Sequence, residues 1–308
     1  MKIILTGHTG MVGQNILHHI KTSEYTFLTP TRSELNLEKW QEVDAYIKTH
    51  EPELVIHAAG MVGGIQANIA NPVDFLVKNL DMGRNIILAA QKNAVKSLIN
   101  LSSSCMYPRL AQNPLKEEYI LKGELEPTNE GYALAKIVTT RLCEYITREN
   151  KTFQYKTVIP CNLYGRYDKF SPKHSHMIPA VIKKIHEAKV NNEAEVEIWG
   201  DGKARREFMY AEDLADFIFY AIENFEDLPQ NINVGLGKDC SINEYYKTIA
   251  EVIGYEGKFV HDTTKPVGMQ QKLIDNTKLN TLGWRAKTSL KEGISETYEF
   301  YKNVVLND

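Results

Sequence analysis

Short apolar runs alternate with longer amphipathic stretches over the first half of this chain, and this alternation restricts the possible folds more than any other feature. The apolar runs predict strands at Lys2–Thr6, Tyr25–Leu28, Leu54–His57, Ser97–Ser102 and Lys156–Ile159. Apolar residues at three- and four-residue spacing predict helices between them, at Met11–Lys21, Glu38–Thr49, Pro72–Asn93 and Asn129–Glu149. Helical crossovers between strands are typical of parallel sheets, so we expect an α/β fold with a doubly wound, Rossmann-type parallel sheet.

The rhythm changes after Tyr164. A polar loop at Arg166–Lys173 precedes a helix, and short strands then mix with helices up to the C-terminus. We therefore expect a larger domain over residues 1–165, joined by about 206–235, and a smaller mixed α/β lobe over 166–205 and 236–308. The charge-rich stretch Lys189–Glu197 predicts a solvated helix end and turn.

Composition excludes several classes of partner. The 308 residues carry a formal net charge of -3 and contain no polybasic run, which argues against nucleic acid and anionic membranes as partners. The first apolar run is too short for a signal peptide, and no later run is long enough to span a bilayer. We expect a cytoplasmic protein whose partners are small molecules or a second subunit.

Four cysteines, Cys105, Cys143, Cys161 and Cys240, lie far apart and form no Cys-x-x-Cys pair. This spacing argues against a zinc site and against a disulfide framework. We expect reduced thiols and no metal ion.

A glycine-rich segment follows the first predicted strand and leads into a helix. It reads Gly7-His8-Thr9-Gly10-Met11-Val12-Gly13. Glycines allow a sharp turn and a close backbone approach, and the helix N-terminus offers free N–H groups to a pyrophosphate. All seven residues are therefore candidates for cofactor binding, and the alternative is a purely structural turn between strand and helix.

Arg32 follows the second predicted strand, at the position where a dinucleotide-binding fold recognises the adenosine ribose. An acidic residue there suits a free 2′-hydroxyl, whereas a cation suits a 2′-phosphate. Arg32 therefore favours NADPH over NADH, and the alternative is a solvated arginine in a turn.

Ser103, Tyr132 and Lys136 together predict a reductase site. Tyr132 and Lys136 are four residues apart on one face of a predicted helix, and Ser103 lies at the end of a predicted strand. Reduction of a ketone needs a proton donor and a second hydrogen-bond donor at the oxygen, roles that Tyr132 and Ser103 can fill. Lowering a tyrosine pKa by about three units needs about 4 kcal/mol, for which the Lys136 ammonium is the candidate source. Taken alone, the Tyr-x-x-x-Lys pair equally fits an exposed helix face.

The chain resembles the GDP-L-fucose synthase family of extended short-chain dehydrogenases/reductases almost from end to end. The stretches that carry this resemblance are Gly7–Gly13, His57–Ala59, Val62–Ile65, Ser103–Pro108, Glu126–Lys136, Asn162–Gly165, Ser175–Ala180, Trp199–Gly200 and Arg206–Phe208.

The resemblance implies that a GDP-4-keto-6-deoxy sugar is epimerised at C3 and C5 and then reduced at C4 by NADPH. In that scheme Cys105 and His176 exchange protons at the sugar carbons. It also implies a homodimer formed through Pro72–Asn93 and Asn129–Glu149. The implied cofactor contacts beyond the glycine turn and Arg32 are Leu101, Ser102, Lys136, Pro160, Asn162, Leu163 and His176. The implied substrate contacts are Ser104, Asn162, Lys184, Trp199, Arg206 and Lys272.

The implied epimerisation is chemically reasonable, because hydrogens next to the C4 ketone are acidic and the enolate can use the donors that later hold the alkoxide. Strand alternation predicts that Ser103 and Cys105 point to the same side. The alternative for Cys105 is a small buried apolar residue, and the alternative for His176 is a helix cap or a cofactor contact.

Two single positions and one stretch depart from the family pattern. Lys184 stands where an arginine is usual, and Thr9 replaces an arginine in the glycine turn. The family's Lys-Pro-Asp-Gly-Thr-Pro-Arg-Lys stretch reads here as Lys265–Lys272, with Val267 in place of the acid. Lysine lacks the planar fork of arginine and Val267 cannot accept a hydrogen bond, so we expect a pocket for a GDP-4-keto-hexose or GDP-4-keto-heptose. Because Thr9 leaves Arg32 as the principal candidate reader of the 2′-phosphate, we also expect a weaker NADPH selectivity than in the family.

Three other functions compete with this interpretation: a C4 reductase without epimerase activity, a non-catalytic NADP-sensing module, and a nucleotide-sugar 4-epimerase. A sensor has no chemical need for the proton donor Tyr132, which argues against the second. A 4-epimerase retains tightly bound NAD, which the cation Arg32 disfavours.

Overall fold

The elements alternate along the chain as the sequence pattern predicts. The computed structural model describes residues 1–171, 175–265 and 267–306, so Pro172 and Lys173 of the predicted polar loop and Pro266 lie outside the described residues. The strands are β1 (Lys2–Thr6), β2 (Thr26–Leu28), β3 (Leu54–His57), β4 (Ser97–Leu101), β5 (Gln154–Pro160), β6 (Asn162–Tyr164), β7 (Glu195–Trp199), β8 (Arg205–Arg206), β9 (Phe208–Tyr210), β10 (Asn231–Val234), β11 (Cys240–Ser241), β12 (Lys258–Asp262) and β13 (Gln271–Lys272). The α-helices are α1 (Met11–Leu17), α2 (Trp40–His50), α3 (Ile65–Ala70), α4 (Pro72–Lys92), α5 (Glu130–Glu149), α6 (Met177–Val190), α7 (Ala211–Glu223), α8 (Ile242–Ile253), α9 (Thr277–Leu282) and α10 (Leu290–Phe300).

The central sheet contains six parallel strands in the order β10-β5-β4-β3-β1-β2. The strand order changes direction between β1 and β3, which opens a crevice at the carboxyl ends of these two strands. The predicted doubly wound parallel sheet is therefore confirmed. The predicted helix at Met11–Lys21 is shorter than expected, because α1 ends at Leu17 and a separate 3₁₀ turn follows at Ile20–Glu24.

Both faces of the sheet are buried, which explains why its strands are nearly continuous apolar runs. On one face Ile3 and Leu5 of β1 pack with Phe217 and Ile218 of α7. On the other face Ile4 belongs to a separate cluster that includes residues of α2, α4 and α5. Adjacent residues of β1 thus serve opposite layers, as the two-residue period of a strand requires.

A third apolar cluster lies among the later elements. It includes Ile182 of α6, Ile198 of β7, Tyr245 of α8 and Ile294 of α10. The strands here form small sheets, with β12 paired to β7 and β8 placed between β11 and β13. No helix within the described residues combines the length and apolar character needed to cross a bilayer.

Glu207, between β8 and β9, connects the third cluster to the central sheet. Its fully buried carboxylate accepts hydrogen bonds from the backbone N–H groups of Leu236 at 2.6 Å, Gly237 at 2.8 Å and Ile274 at 3.0 Å. Burial outweighs these three donors and raises the pKa of Glu207 to about 7. The connection therefore depends on a carboxyl group that ionises near neutral pH.

Candidate active site

The glycine turn is packed so closely that side chains cannot replace two of its glycines. Gly7 has a φ of 76°, and a Cβ there would lie 2.6 Å from the Ala59 nitrogen. A Cβ at Gly13 would overlap the carbonyl oxygen of Gly7. The turn is therefore a backbone surface at the carboxyl end of β1, which is where a diphosphate can approach the start of α1.

The remaining residues of the turn surround this surface. Thr9 and Gly10 are exposed, whereas His8, Met11 and Val12 are half-buried. Arg32 lies just beyond β2, and β2 pairs with β1, so the arginine is at the same edge of the sheet. Its side chain is 79% exposed and lies 2.7 Å from the Glu38 carboxylate.

The structure brings Ser103, Tyr132 and Lys136 together at the ends of β4 and α5. Lys136 lies one helical turn after Tyr132, with its Nζ atom 5.8 Å from the centre of the Tyr132 ring. The same ammonium donates a hydrogen bond of 2.9 Å to the Leu101 carbonyl at the end of β4. The Ser103 hydroxyl interacts with the Tyr132 phenol, and Phe75 packs edge-on against the phenol ring.

The protonation of this trio differs from the prediction. Burial raises the pKa of Tyr132, and the Ser103 hydroxyl offsets this only in part. Burial lowers the pKa of Lys136 to about 8. The prediction that Lys136 makes the phenol acidic is therefore wrong for the structure, because desolvation dominates and the ammonium is bonded to a carbonyl. A neutral phenol is nevertheless the form that a proton donor requires.

Cys105 lies beside this trio, but not for the reason that strand alternation suggested. β4 ends at Leu101, and Ser104–Met106 forms a 3₁₀ turn. The Ser103 hydroxyl caps this turn by accepting a 3.2 Å hydrogen bond from the Cys105 N–H group. The turn, and not strand alternation, therefore places Ser103 and Cys105 at one site, so the reason given for this prediction is wrong although the two residues do lie together. Consistent with this proximity, the charge of Cys105 acts on the pKa of Tyr132.

Two further side chains contact the Cys105 sulfur. The Lys272 ammonium lies 3.5 Å from Sγ, and the Asn129 side-chain amide donates to Sγ at 3.2 Å. Burial favours the neutral thiol, but Lys272 together with hydrogen bonds from Ser103 and Asn129 lowers the pKa of Cys105 below its ordinary value. Sequence reasoning did not select Asn129, although it stands within the Glu126–Lys136 stretch that carries the family resemblance.

His176 directly precedes α6, a helix that contributes to the third apolar cluster. Its Nδ1 atom lies 3.9 Å from the Asp168 carboxylate, too far for a hydrogen bond. Nδ1 of His176 and Oδ2 of Asp168 are both buried without a hydrogen-bond partner among the described residues. A Cβ on Gly64 would lie 3.0 Å from the carbonyl oxygen of Ser175, so the segment before α6 packs on the Gly64 loop.

Several of the expected contacts have little exposed surface. Ser102 is 6% exposed and Ser104 only 2%. Leu101 is buried, as is Pro160. Asn162 and Leu163 are half-buried, and the Asn162 side-chain amide donates a 2.8 Å hydrogen bond to the Glu207 carbonyl.

The expected substrate residues fall into two groups. Arg206 on β8 and Lys272 on β13 are paired in register, and the Arg206 guanidinium donates to the carbonyl oxygens of Arg205 and Val267. Lys184 and Trp199 instead share Glu197: Lys184 Nζ donates to its carbonyl oxygen at 2.6 Å, and Trp199 Nε1 donates to its carboxylate at 2.8 Å.

Burial lowers the pKa of Arg206 and of Lys184. Trp199 is 47% exposed, and the Lys265 ammonium lies 5.8 Å from the centre of its ring. Arg206 and Lys272 therefore form the cationic side of the site that adjoins Cys105.

A glycine turn at the crevice of a parallel sheet, with a serine, tyrosine and lysine beside it, defines a dinucleotide-dependent oxidoreductase of the Rossmann type. Residues 3–235 match the model of the NAD dependent epimerase/dehydratase family. The chain belongs to that family, and within it to the group of GDP-L-fucose and GDP-L-colitose synthases.

Individual relatives match over nearly the whole chain. The GDP-L-colitose synthase of Yersinia pseudotuberculosis is 61% identical, with 100% of both chains covered. The GDP-L-fucose synthase of Azorhizobium caulinodans is 50% identical over 97% of this chain and 96% of its own. The solved structure of a GDP-mannoheptose C4 reductase from Campylobacter jejuni with NADP bound is 33% identical to this chain, and the match covers 98% of each chain with a TM-score of 0.88.

Proposed function

We propose that this protein reduces the C4 ketone of a GDP-4-keto sugar with NADPH, after epimerisation next to that ketone. The observation that carries the proposal is that a proton donor for reduction and a thiol base for epimerisation lie at one site. The proton donor Tyr132 and the Cys105 thiol, whose pKa is lowered from its ordinary value, both interact with Ser103 just after β4. The similarity to GDP-sugar synthases over the full chain supports the same substrate class.

The glycine turn fits a dinucleotide, because the absence of a Cβ at Gly7 and Gly13 lets the backbone pack tightly where β1 leads into α1, the place at which a diphosphate can meet free N–H groups. Gly7–Gly13 would hold the diphosphate, Arg32 the 2′-phosphate and Lys136 the nicotinamide ribose. NADPH supplies a hydride when bound. The NADP in the Campylobacter reductase supports the choice of cofactor.

In the reduction, the chain contributes a proton and hydrogen bonds. The Tyr132 hydroxyl would give its proton to the developing C4 alkoxide, and the Ser103 hydroxyl would donate a second hydrogen bond to that oxygen. The raised pKa of Tyr132 keeps the phenol protonated at neutral pH, as a donor must be.

In the epimerisation, the Cys105 thiolate would take a proton from the carbon next to the ketone. The C–H bond breaks, an S–H bond forms, and the electron pair moves to the C4 oxygen, where Ser103 and Tyr132 hold the enolate. His176 would return a proton to the opposite face of the carbon. Charge and atoms balance within this pair of proton transfers.

Among the possible products we favour GDP-L-colitose. The identity of 61% to a GDP-L-colitose synthase exceeds the 50% to a GDP-L-fucose synthase. Colitose lacks the C3 hydroxyl of fucose, so only the inversion at C5 is needed before reduction. The departures at Lys184 and Val267 support a substrate that differs from the usual fucose precursor.

The test supplies purified protein and NADPH with GDP-4-keto-6-deoxymannose and with its 3-deoxy analogue, in deuterated water. We expect higher kcat/KM for the 3-deoxy substrate and deuterium at C5 of the product. Cys105→Ser should abolish the exchange while reduction of a pre-epimerised substrate continues. Cys240→Ser is the matched control, because that thiol lies on β11, which β8 separates from β13 and its Lys272.

Three outcomes would contradict the proposal or parts of it. Reduction without any deuterium incorporation leaves a C4 reductase alone. Binding of NADPH without turnover of any GDP-4-keto sugar favours the sensing module. Tightly bound NAD with no net cofactor use favours the 4-epimerase.

We also propose a homodimer through α4 and α5, in line with the family resemblance. Val73 and Val77 on α4 are 70% and 45% exposed, and Val138 and Tyr145 on α5 are each 46% exposed. These apolar side chains on two helices that pack together support a shared interface. Light scattering should give twice the monomer mass, and Val138→Asp should lower this mass towards that of the monomer. A monomer mass for the unmodified protein would reject the dimer.

Two further assignments are proposals. Residues 1–165 with about 206–235 would bind the cofactor, and 166–205 with 236–308 would form the substrate lobe. The separate apolar cluster among the later elements supports this division, although Ile274, Leu279 and Trp284 pack with the central sheet. A cytoplasmic location stays a prediction.

A further inference from the structure

The sulfur of Cys105 is surrounded by hydrogen-bond donors, and one of them carries a full positive charge. Asn129 donates from the segment before α5, and Ser103 acts from the capping position of its own turn. Lys272 comes from β13, 167 residues further along the chain, and lies 3.5 Å from the sulfur. The titratable groups that act on Cys105 from neighbouring elements are thus Lys272, on β13, and Tyr132, on α5.

The backbone of Lys272 is fixed on both sides, so the ammonium is not at the end of a loose segment. β13 pairs with β8, and the Lys272 carbonyl accepts a 3.2 Å hydrogen bond from the Glu207 N–H group. The next residue, Leu273, donates to the Asn113 side chain at 2.8 Å and accepts from the Leu115 N–H group at 2.8 Å. These bonds hold Lys272 against the thiol.

The other three cysteines have a different environment. Burial raises the pKa of the Cys143, Cys161 and Cys240 thiols. Cys105 is the one whose neighbouring charge outweighs burial, so its reactivity can be followed separately.

We propose that Lys272 is a positioning residue that keeps Cys105 in the thiolate form and so prepares it as the base for epimerisation. Lys272 itself transfers no proton in this step. Its charge stabilises the sulfur anion before the C–H bond breaks, and the electron pair that leaves carbon goes to the ketone oxygen. The inference rests on the proposed epimerase function, and it assigns to Lys272 a task beyond the substrate contact that the family resemblance implies.

The test measures the rate at which iodoacetamide alkylates Cys105 as a function of pH, with the modified peptide identified by mass spectrometry. Lys272→Met should move the midpoint upward by about one pH unit, so that alkylation at neutral pH slows about tenfold. Lys272→Arg keeps the charge and should retain most of the original rate. Lys116→Met, which removes an exposed lysine, should change nothing.

A larger KM for the GDP-sugar with an unchanged alkylation midpoint in Lys272→Met would overturn the proposal and leave Lys272 as a substrate contact only. If that variant does not fold, as judged by circular dichroism, Lys272→Gln replaces it in the same assay. Deuterium exchange by the unmodified protein tests the proposed function separately. An alkylation shift without any exchange at C5 would confirm the charge pairing but reject both the epimerase function and the role of Lys272 in preparing a base.

Discussion

Each of the two sides of the candidate site places a lysine near a weak acid, yet the pKa of the acid is raised on one side and lowered on the other. On the α5 side, the pKa of Tyr132 is raised although Lys136 is one turn away. On the β13 side, the pKa of Cys105 is lowered by Lys272. Both acids are desolvated, so desolvation alone does not decide the outcome.

The difference lies in what each ammonium contacts. Lys136 donates to the Leu101 carbonyl, whereas Lys272 lies directly on the sulfur. A charge stabilises an anion in a buried site only when it is close enough to offset the lost hydration. The site therefore shifts its two acids in opposite directions, towards a neutral proton donor at Tyr132 and towards ionisation at Cys105.

The largest expected effect tests the donor side. Tyr132→Phe removes the proton donor and should lower kcat for reduction by about 10²–10⁴-fold. Stopped-flow measurement of NADPH consumption with a pre-epimerised substrate isolates this step. C5 deuterium exchange should slow but not stop in this variant, because the base Cys105 remains and the enolate keeps the Ser103 donor but loses the Tyr132 donor. Reduction within threefold of the unmodified rate would remove Tyr132 from the mechanism.

The next effect concerns the pH dependence of reduction. Burial lowers the pKa of Lys136 to about 8. Its positive charge is therefore present below that value and is lost above it, so kcat/KM for reduction should fall by about tenfold per unit above pH 8. A pH profile of the unmodified protein measures this limb. In Lys136→Met the rate should be low at all pH values; an identical alkaline limb in that variant would assign the limb to another group.

Glu207 is a third buried acid, and its carboxylate accepts hydrogen bonds from neutral N–H groups. Its folded pKa of about 7 is above the ordinary value of 4.5, so the folded state binds more protons than the unfolded state between these limits. Stability should therefore decrease as pH rises from about 4.5 to 7, by up to about 3 kcal/mol. Urea unfolding at pH 5 and pH 8 measures the change.

Glu207→Gln should lose this pH dependence, even though its lost hydrogen bonds lower overall stability. Glu244→Gln is the matched control, because Glu244 is an exposed capping residue whose pKa is lowered by hydrogen bonds to Ser241. An unchanged pH dependence in Glu207→Gln would show that another group is responsible.

The smallest effect is expected at the cofactor edge. Arg32 is 79% exposed, so its removal should cost less than about 1 kcal/mol of NADPH binding. Arg32→Ala should reduce the ratio of NADPH to NADH affinity by about fivefold at most. Isothermal titration with both cofactors measures the ratio, and Arg285→Ala serves as the exposed control. A preference that does not change would remove Arg32 as the reader of the 2′-phosphate.

The sequence by itself determined the features that depend on local pattern. The strand positions could be predicted from apolar runs, because these strands are buried. The glycine turn could be predicted from the spacing of its glycines, because the close backbone packing at Gly7 and Gly13 excludes a Cβ. The spacing of Tyr132 and Lys136 fixes their common helix face. Each of these lies within about ten residues of chain, where geometry is set by the backbone itself.

The tertiary structure alone decided how the pKa values of the buried acids shift. The contact of Lys272 with Cys105 joins residues 167 positions apart, and nothing in the local pattern of either segment indicates it. The same is true of Glu207, whose three donors lie in the segments that follow β10 and β13. A pKa depends on desolvation and on the nearest charges, and both are fixed only when distant segments pack together.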